Sequence, residues 1–312
     1  MGTPDFAVPS LEALSRVSDL CAVFTQPDRE KGRGLKKAIS PVKEKALELG
    51  IPVHQPSRVS DPEGFSILQK YNCDFILVVA YGQILKSNVI QFPKLGCFNV
   101  HASLLPRWRG AAPIHFALWN GDTETGVTLM KINEKLDAGD MLAQLKLSIR
   151  KTDTTGSLHD RLAELSIKLI EDNIFQIETL TPVPQNENEV TYAHKLTKKM
   201  SELDLSLDAV VLERQIRSLN PWPGAFLFSE GLGRLKILEV KEAPMLNMNG
   251  EAYLSVFEFE GNIYAGLKKG ALRLVRLQLD GKRAVLDKDF INGLRGHGQS
   301  LPFRVREQHG SS

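Results

Sequence analysis

The chain has 312 residues, 42% of them hydrophobic and 24% charged, which is typical of a soluble globular protein of one or two domains. Its 39 Lys and Arg against 37 Asp and Glu give a net charge of +2, which by itself says nothing about a nucleic-acid partner. The three cysteines form no C-x-x-C pair, and no apolar run approaches the length of a membrane span. We therefore expect a cytoplasmic, reduced protein without disulfides. The seven histidines are scattered, so no metal site is expected.

Residues 1–180 alternate segments that favour strands with segments that favour helices. Strands are predicted at 20–24, 51–54, 75–80, 97–101, 125–132 and 141–149, and helices at 8–13, 41–49, 62–70, 111–120 and 154–178. This alternation predicts an α/β domain with a doubly wound, mostly parallel sheet. Ligands bind such sheets outside the carboxyl ends of the strands, so the loops after residues 80, 100 and 132 are expected to share one rim.

A long loop at 25–37 separates the first two predicted strands. It contains two glycines and five basic residues, but no third glycine at the spacing of a dinucleotide-binding fingerprint. Loops of this length are uncommon in compact α/β domains. The composition favours contact with a phosphate backbone. The basic residues are Arg29, Lys31, Arg33, Lys36 and Lys37.

The sequence changes character after residue 180. Residues 181–202 are polar and rich in loop-forming residues, which indicates a linker. Beyond it a helix is predicted at 207–217, followed by strands at 225–228, 235–240, 253–259, 263–266 and 272–279. Short strands separated by glycine turns predict a small OB-like β-barrel over residues 203–307.

The C-terminal part is also basic. Residues 261–312 hold ten Lys and Arg against four Asp and Glu, a net charge of +6, which leaves −4 for residues 1–260. A basic portion on a mildly acidic body favours a polyanionic partner. Chance clustering of charges on a solvated strand face is the alternative that the charges leave open.

Polar side chains near the strand ends suggest a catalytic site. Asn99 and His101 are two residues apart on a predicted strand, so they point to the same face. An amide and an imidazole can together hold a carbonyl oxygen, and Asp137 from a later loop can orient the imidazole. Ser103 lacks the context of a nucleophile, so the pattern favours direct acyl transfer between two substrates. A core histidine with Asp137 as a turn residue remains open from spacing alone.

Several motifs resemble a known enzyme family. Asn-Val-His at 99–101, Ser-Leu-Leu-Pro-Arg-Trp-Arg-Gly at 103–110 and Leu-Asp-Ala-Gly-Asp at 136–140 are similar to the formyltransferases that use 10-formyltetrahydrofolate. The segments 2–7, 25–34 and 220–225 are similar to those members that act on methionyl-tRNA. This resemblance runs almost end to end along the chain.

The resemblance implies transfer of a formyl group from 10-formyltetrahydrofolate, as cosubstrate, to the α-amine of initiator methionyl-tRNA. Asn99, His101 and Asp137 match the catalytic residues of the family. The residues expected at the folate are Ser103, Leu104, Leu105, Pro106, Val79, Tyr81, Gly82, Leu85 and Asp140. Those expected at the tRNA are Arg33 above all, with Arg29, Lys31, Lys36, Lys37, Arg107, Arg109, Lys268, Arg273 and Lys282.

The resemblance also implies a domain plan. A Rossmann-like formyltransferase domain is expected at 1–180, a linker at 181–202 and a tRNA-contacting OB-like domain at 203–307, in a monomer. The family has an apolar strand before Gly-Thr-Pro-Asp-Phe, so we expect the first strand of the domain to be missing from this sequence. Two other functions stay open. One is formyl transfer to a small acceptor, which could be an amino-sugar nucleotide, glycinamide ribonucleotide or water, and the other is non-enzymatic RNA binding.

Overall fold

The computed structural model describes residues 1–31, 36–243 and 252–306, with side chains for all of these except 29–31 and 36–37. The helices are α1 Val8–Val17, α2 Pro41–Glu48, α3 Pro62–Leu68, α4 Ser87–Ile90, α5 Pro113–Trp119, α6 Thr155–Asn173, α7 Ala209–Ser218 and α8 Asp287–Gly296. The strands are β1 Val23–Phe24, β2 Arg29–Lys31, β3 Lys36–Ala38, β4 Val53–His54, β5 Ile76–Val78, β6 Cys97–His101, β7 Arg109–Gly110, β8 Glu124–Lys131, β9 Met141–Ser148, β10 Tyr192–Ala193, β11 Ala225–Ser229, β12 Gly233–Ala243, β13 Ser255–Phe259, β14 Asn262–Gly266, β15 Ala271–Leu279, β16 Val285–Leu286 and β17 Phe303–Arg304.

The chain divides into two compact units. The first comprises Met1–Pro113, Thr123–Ile149 and Leu158–His194, and the second comprises Ile114–Asp122, Arg150–Ser157 and the chain from Lys195 onward. Each unit has its own sheet and its own apolar core. None of the helices in the described ranges has the length and apolar character needed to cross a membrane.

The first unit contains a sheet in the order β5-β6-β8-β9. Strands β5 and β6 are parallel, whereas β8 and β9 run antiparallel to their neighbours. The α/β prediction is confirmed, and the sheet is mixed because β8 pairs antiparallel with β6 and β9, joined to β8 by a loop, pairs antiparallel with β8. A second parallel pair, β1 and β4, is linked to β5 by the first two residues. Gly2 N–H donates to Phe24 O at 3.0 Å, and Val79 N–H donates to Met1 O at 2.8 Å.

The local sequence explains the burial of β5 and the limits of α2. All three residues of β5 are buried, as expected for a continuous apolar run in a parallel strand. Helix α2 begins with Pro41, and the Ser40 hydroxyl caps it by accepting a 3.1 Å hydrogen bond from Lys43 N–H. It is followed by Gly50 at φ +70°, a conformation that glycine adopts without strain. Turn and cap residues therefore fix the limits of α2.

The second unit is built around one antiparallel sheet in the order β11-β12-β15-β14-β13-β17, with β16 paired to β15. Its five longer strands correspond to the five predicted ones, and the expected small barrel-type β-domain is confirmed. A register irregularity at Glu239 bends β12, as curled sheets require. Leu212 and Ile216 of α7, with Phe290 and Leu294 of α8, pack into its core one helical turn apart.

Candidate active site

Strand β6 presents His101 at the end of the first unit's sheet. The residue is 6% exposed and lies opposite Thr128 of β8. Its Nε2 lies 2.8 Å from the carbonyl oxygen of Trp108. A carbonyl can only accept, so Nε2 carries a hydrogen and Nδ1 is the ring nitrogen left for chemistry. Asn99, on the same strand face, has a side-chain amide without a hydrogen-bond partner among the described residues.

The structure brings Asp137 to this imidazole from the loop between β8 and β9. Asp137 Oδ2 lies 3.7 Å from His101 Nδ1 and accepts a 2.9 Å hydrogen bond from Gly110 N–H. The backbone of Asp137 has φ +46°, a left-handed conformation that is uncommon for residues other than glycine. An imidazole and a carboxylate therefore meet at the end of β6, on the strand face that Asn99 shares with His101.

The segment after His101 is held in place by residues 191–193. Trp108 N–H donates to Thr191 Oγ1 at 2.9 Å, and β7 pairs in parallel with β10. Gly110 has φ +120°, and a Cβ there would lie 2.6 Å from the carbonyl oxygen of Ala193. Glycine is therefore required at 110, where its N–H meets the Asp137 carboxylate.

Ser103, expected at the folate, has a hydroxyl that stabilises its own turn. It is fully buried, and its hydroxyl donates to the carbonyl of Arg107 at 2.5 Å. The carbonyl of Ser103 accepts from Thr128 Oγ1 at 2.6 Å, and Gln144 Nε2 donates to Leu105 O at 2.9 Å. The Ser103 hydroxyl is thus engaged within the protein, and the contact of Ser103 with folate stays a prediction.

Leu104, Leu105, Pro106 and Arg107 line a cleft together with residues 188–191. The cleft has a volume of about 520 Å³, within the range of small-molecule sites. Three of the residues expected at the folate therefore lie beside a space large enough for a ligand. The opposite wall comes from a segment that the sequence predicted as part of a linker.

The side chains expected at the folate after β5 belong to the core. Val79, Tyr81 and Leu85 are at most 8% exposed, and burial raises the pKa of the Tyr81 phenol. The carbonyl of Tyr81 accepts hydrogen bonds from Thr3 Oγ1 at 2.9 Å and Gln26 Nε2 at 3.2 Å. Gly82 is exposed and has φ +83°. Of the residues expected at the folate here, Gly82 and the backbone remain for ligand contact, because the side chains of Val79, Tyr81 and Leu85 complete the core.

Comparison with known proteins now identifies the family. Residues 2–174 match the family model described as formyl transferase, and residues 195–295 match the model for the formyl transferase C-terminal domain. The chain belongs to the formyl transferase family. It is 46% identical over 304 residues to the methionyl-tRNA formyltransferase of Methylococcus capsulatus, covering 96% of this chain and 97% of the relative. It is 44% identical over 304 residues to that of Hydrogenovibrio crunogenus, covering 96% of each chain.

A solved structure supports the fold of this formyl transferase. WlaRD, a sugar 3N-formyl transferase solved in the presence of dTDP and 5-N-formyl-THF, aligns with a TM-score of 0.63 at 20% identity. The alignment covers 90% of this chain and 97% of WlaRD. At that identity the match concerns the fold alone. Formyl transferases and their structural neighbours bind folates, so a folate site is expected in this chain.

The two arginines of the 103–110 segment that are expected at the tRNA differ in exposure. Arg107 is exposed, and its guanidinium carbon lies 4.8 Å from the centre of the Trp108 ring. Arg109 is only 3% exposed, and its guanidinium donates to Gln185 Oε1 at 2.8 Å and to Glu187 Oε1 at 2.9 Å. Burial and two protein partners leave little of the Arg109 guanidinium accessible, and its contact with tRNA stays a prediction.

The other basic residues expected at the tRNA differ in exposure and in their partners. In the second unit Lys268 and Lys282 are exposed, whereas Arg273 donates to Asp287 at 3.0 Å and is partly buried. Arg273 is thus engaged within its own unit. Strands β2 and β3 form a hairpin whose backbone carries Arg29, Lys31, Lys36 and Lys37, while Arg33 lies outside the described residues.

Sequence reasoning missed the contribution of residues 185–193. Gln185 and Ala193 are buried, and Thr191 supports the turn at Trp108. The β-branched and aromatic run at 190–192 is a weak strand signal, but nothing in the local sequence marks Gln185 as buried. Within the parts of the chain described, no group of three His, Cys, Asp or Glu side chains is placed to hold a metal ion.

Proposed function

We propose that this formyl transferase transfers the formyl group of 10-formyltetrahydrofolate to the α-amine of initiator methionyl-tRNA. One observation carries the proposal, namely the 46% identity over nearly the full length of a relative named methionyl-tRNA formyltransferase. The exposed basic residues of the second unit agree with a polyanionic substrate, since small acceptors do not need them.

In the proposed reaction the neutral α-amine attacks the formyl carbon. Free α-amino groups have a pKa of about 7.7–8.0, and esterification of the carboxyl group lowers that pKa, so much of the amine is unprotonated at neutral pH. As the new C–N bond forms, the carbonyl becomes an oxyanion. The bond from carbon to N10 of the folate then breaks, and the proton lost by the amine ends on N10.

The residues of the site have distinct roles in this scheme. The Asn99 amide donates a hydrogen bond to the oxyanion. His101 also stabilises the oxyanion, and it does so through Nδ1 because its Nε2 hydrogen is bound to Trp108 O. Asp137 orients His101 and receives the proton of the attacking amine for relay to the leaving nitrogen. Its Oδ2 is held by Gly110 N–H, which leaves Oδ1 for that relay.

The binding surfaces follow from exposure. We assign the folate to the cleft beside Leu104, Leu105 and Pro106. As the resemblance implies, the backbone of 79–85 and Asp140 complete the folate site. The acceptor end of the tRNA meets Arg107 and the basic loop 25–37, and its body meets Lys268 and Lys282. In domain terms, residues 1–180 catalyse and 203–307 contact the tRNA, while the connecting segment 181–202 also supports the site through Gln185, Glu187 and Thr191.

A transfer assay tests the proposal. The chain is mixed with 10-formyltetrahydrofolate carrying a labelled formyl group and with initiator methionyl-tRNA, elongator methionyl-tRNA or an amino-sugar nucleotide. We expect label on the initiator tRNA alone. Label on the amino-sugar nucleotide alone would favour the function named for WlaRD, a neighbour at 20% identity, and would reject the proposal.

A further inference from the structure

Asp137 occupies a backbone conformation that needs external support. At φ +46° a non-glycine residue is strained, and such a residue persists only where its surroundings fix it. Its side chain is 17% exposed, and burial of a charged carboxylate costs free energy, so burial alone cannot provide that support. The position of Asp137 relative to His101 therefore depends on the groups that bind the loop.

Gln185 provides those bonds through one side-chain amide. Its Nε2 donates to the carbonyl oxygens of Asp137 and Gly139, each at 2.8 Å, and its Oε1 accepts from Arg109 Nε at 2.8 Å. The side chain is 8% exposed. The bonds to Gly139 and Arg109 are buried and the bond to Asp137 is partly buried, so loss of the Gln185 amide leaves buried polar groups unsatisfied.

Arg109 links Gln185 to the other side of the Asp137 loop. Its guanidinium is neutralised by Glu187, whose Oε1 lies 2.9 Å from Nη2. The next residue, Gly110, donates its N–H to Asp137 Oδ2 at 2.9 Å. The same network thus holds Asp137 twice, by its backbone carbonyl and by its carboxylate.

We propose that Gln185 is a positioning residue for formyl transfer, holding Asp137 at the distance from His101 that the reaction uses. This inference rests on the proposed function. It assigns Gln185 no contact with substrate, because its side-chain amide is already engaged by Asp137, Gly139 and Arg109.

The test variant is Gln185→Met, which keeps the length of the side chain and removes both donors. The matched control is Gln91→Met, where the side chain is exposed. Because displacement of a catalytic group by an ångström can cost about 100-fold, we expect kcat for formylation to fall about 100-fold in Gln185→Met, with KM for both substrates little changed. Gln91→Met should match the wild type. An unchanged kcat in Gln185→Met would overturn the inference.

A double-mutant cycle separates positioning from general damage. Adding Gln185→Met to Asp137→Asn should cost nothing further, since the carboxylate that Gln185 positions is already absent. An equal loss in both backgrounds would reject a role through Asp137. Gln185→Glu is a second variant in case Gln185→Met folds poorly. It keeps an acceptor for Arg109 but places a carboxylate against the two carbonyl oxygens, so kcat should fall about as much as is expected for Gln185→Met.

A spectroscopic measurement makes the inference independent of turnover. In ¹⁵N-histidine spectra, the His101 Nδ1 signal should shift in Gln185→Met and stay in place in Gln91→Met, because only the first change releases Asp137. An unshifted signal would refute the inference. Failure of the wild-type chain to formylate any methionyl-tRNA would instead reject the proposed function, whatever the spectra show.

Discussion

At the residue scale, Asn99 is the clearest candidate for stabilising charge in the transition state. Its amide has no other partner in the described part of the chain, and the adjacent imidazole donates one of its hydrogens elsewhere. We predict that Asn99→Ala lowers kcat by about 100- to 1,000-fold with little change in KM, as loss of an oxyanion donor does. Single-turnover formylation measures this, with exposed Asn72→Ala as control. A rate near that of the wild type would show that Asn99 does not stabilise the transition state.

Gly110 supports a second prediction at this scale. Its φ is +120°, and a Cβ at this position would lie 2.6 Å from Ala193 O, so any larger residue requires the loop to move. We predict that Gly110→Ala destabilises the protein by about 1–3 kcal/mol and also lowers kcat, since Gly110 N–H holds Asp137. Urea denaturation and the formylation assay measure the two effects. Gly293→Ala, in α8 with open space around it, is the control and should not destabilise.

The residue scale also shows what sequence could predict. The shared strand face of Asn99 and His101 followed from the two-residue period of a strand. The burial of Arg109 did not follow, because its partner Gln185 is 76 positions away and charged residues are normally exposed. Likewise, the sequence predicted Ser103 in a folate-contacting segment but could not show that its hydroxyl bonds to the carbonyl of Arg107 four residues on.

At the element scale, strands with strong local patterns were predictable and short pairings were not. The apolar run of β5 and the capped helix α2 carry their own signals. Strands β7 and β10 contain two residues each and form only because distant segments meet. The polar composition of 185–193 suggested a simple connection, yet this segment supplies Gln185, Glu187 and Thr191 to the site.

The bond between this segment and Arg109 should give a pH signature. The hydrogen bond from Arg109 lowers the pKa of Glu187 below its ordinary value of 4.5. A carboxyl whose pKa is depressed in the folded state contributes stability above its unfolded pKa, and that stability is lost as pH falls through the folded pKa. We predict that Glu187→Gln lowers Tm at pH 7 and that the difference from the wild type disappears as the pH falls below about 4.5. A pH-independent difference in Tm would show that the charge of Glu187 is not what stabilises Arg109.

At the scale of the whole molecule, the distribution of charge determines how a polyanion binds. The basic residues of the C-terminal part are not equivalent, because Arg273 is already bound to Asp287 while Lys268 and Lys282 are exposed. Each exposed lysine that meets a phosphate releases a counterion on binding, so its removal reduces the salt dependence of affinity. Charge counts along the sequence could predict the basic region but could not separate paired from exposed cations.

We predict that Lys268→Ala and Lys282→Ala each weaken binding of initiator methionyl-tRNA and each reduce the slope of log Kd against log salt by about 1. Neither variant should change the single-turnover rate at saturating tRNA, because both lysines lie in the second unit while His101 and Asp137 lie in the first. Titrations at several salt concentrations measure the slope. Lys146→Ala, which removes an exposed lysine of the first unit that is paired with Glu124, is the control and should leave the slope unchanged. Slopes equal to that of the wild type in both lysine variants would show that the tRNA does not contact Lys268 or Lys282. The basic loop 25–37 would then have to supply the phosphate contacts.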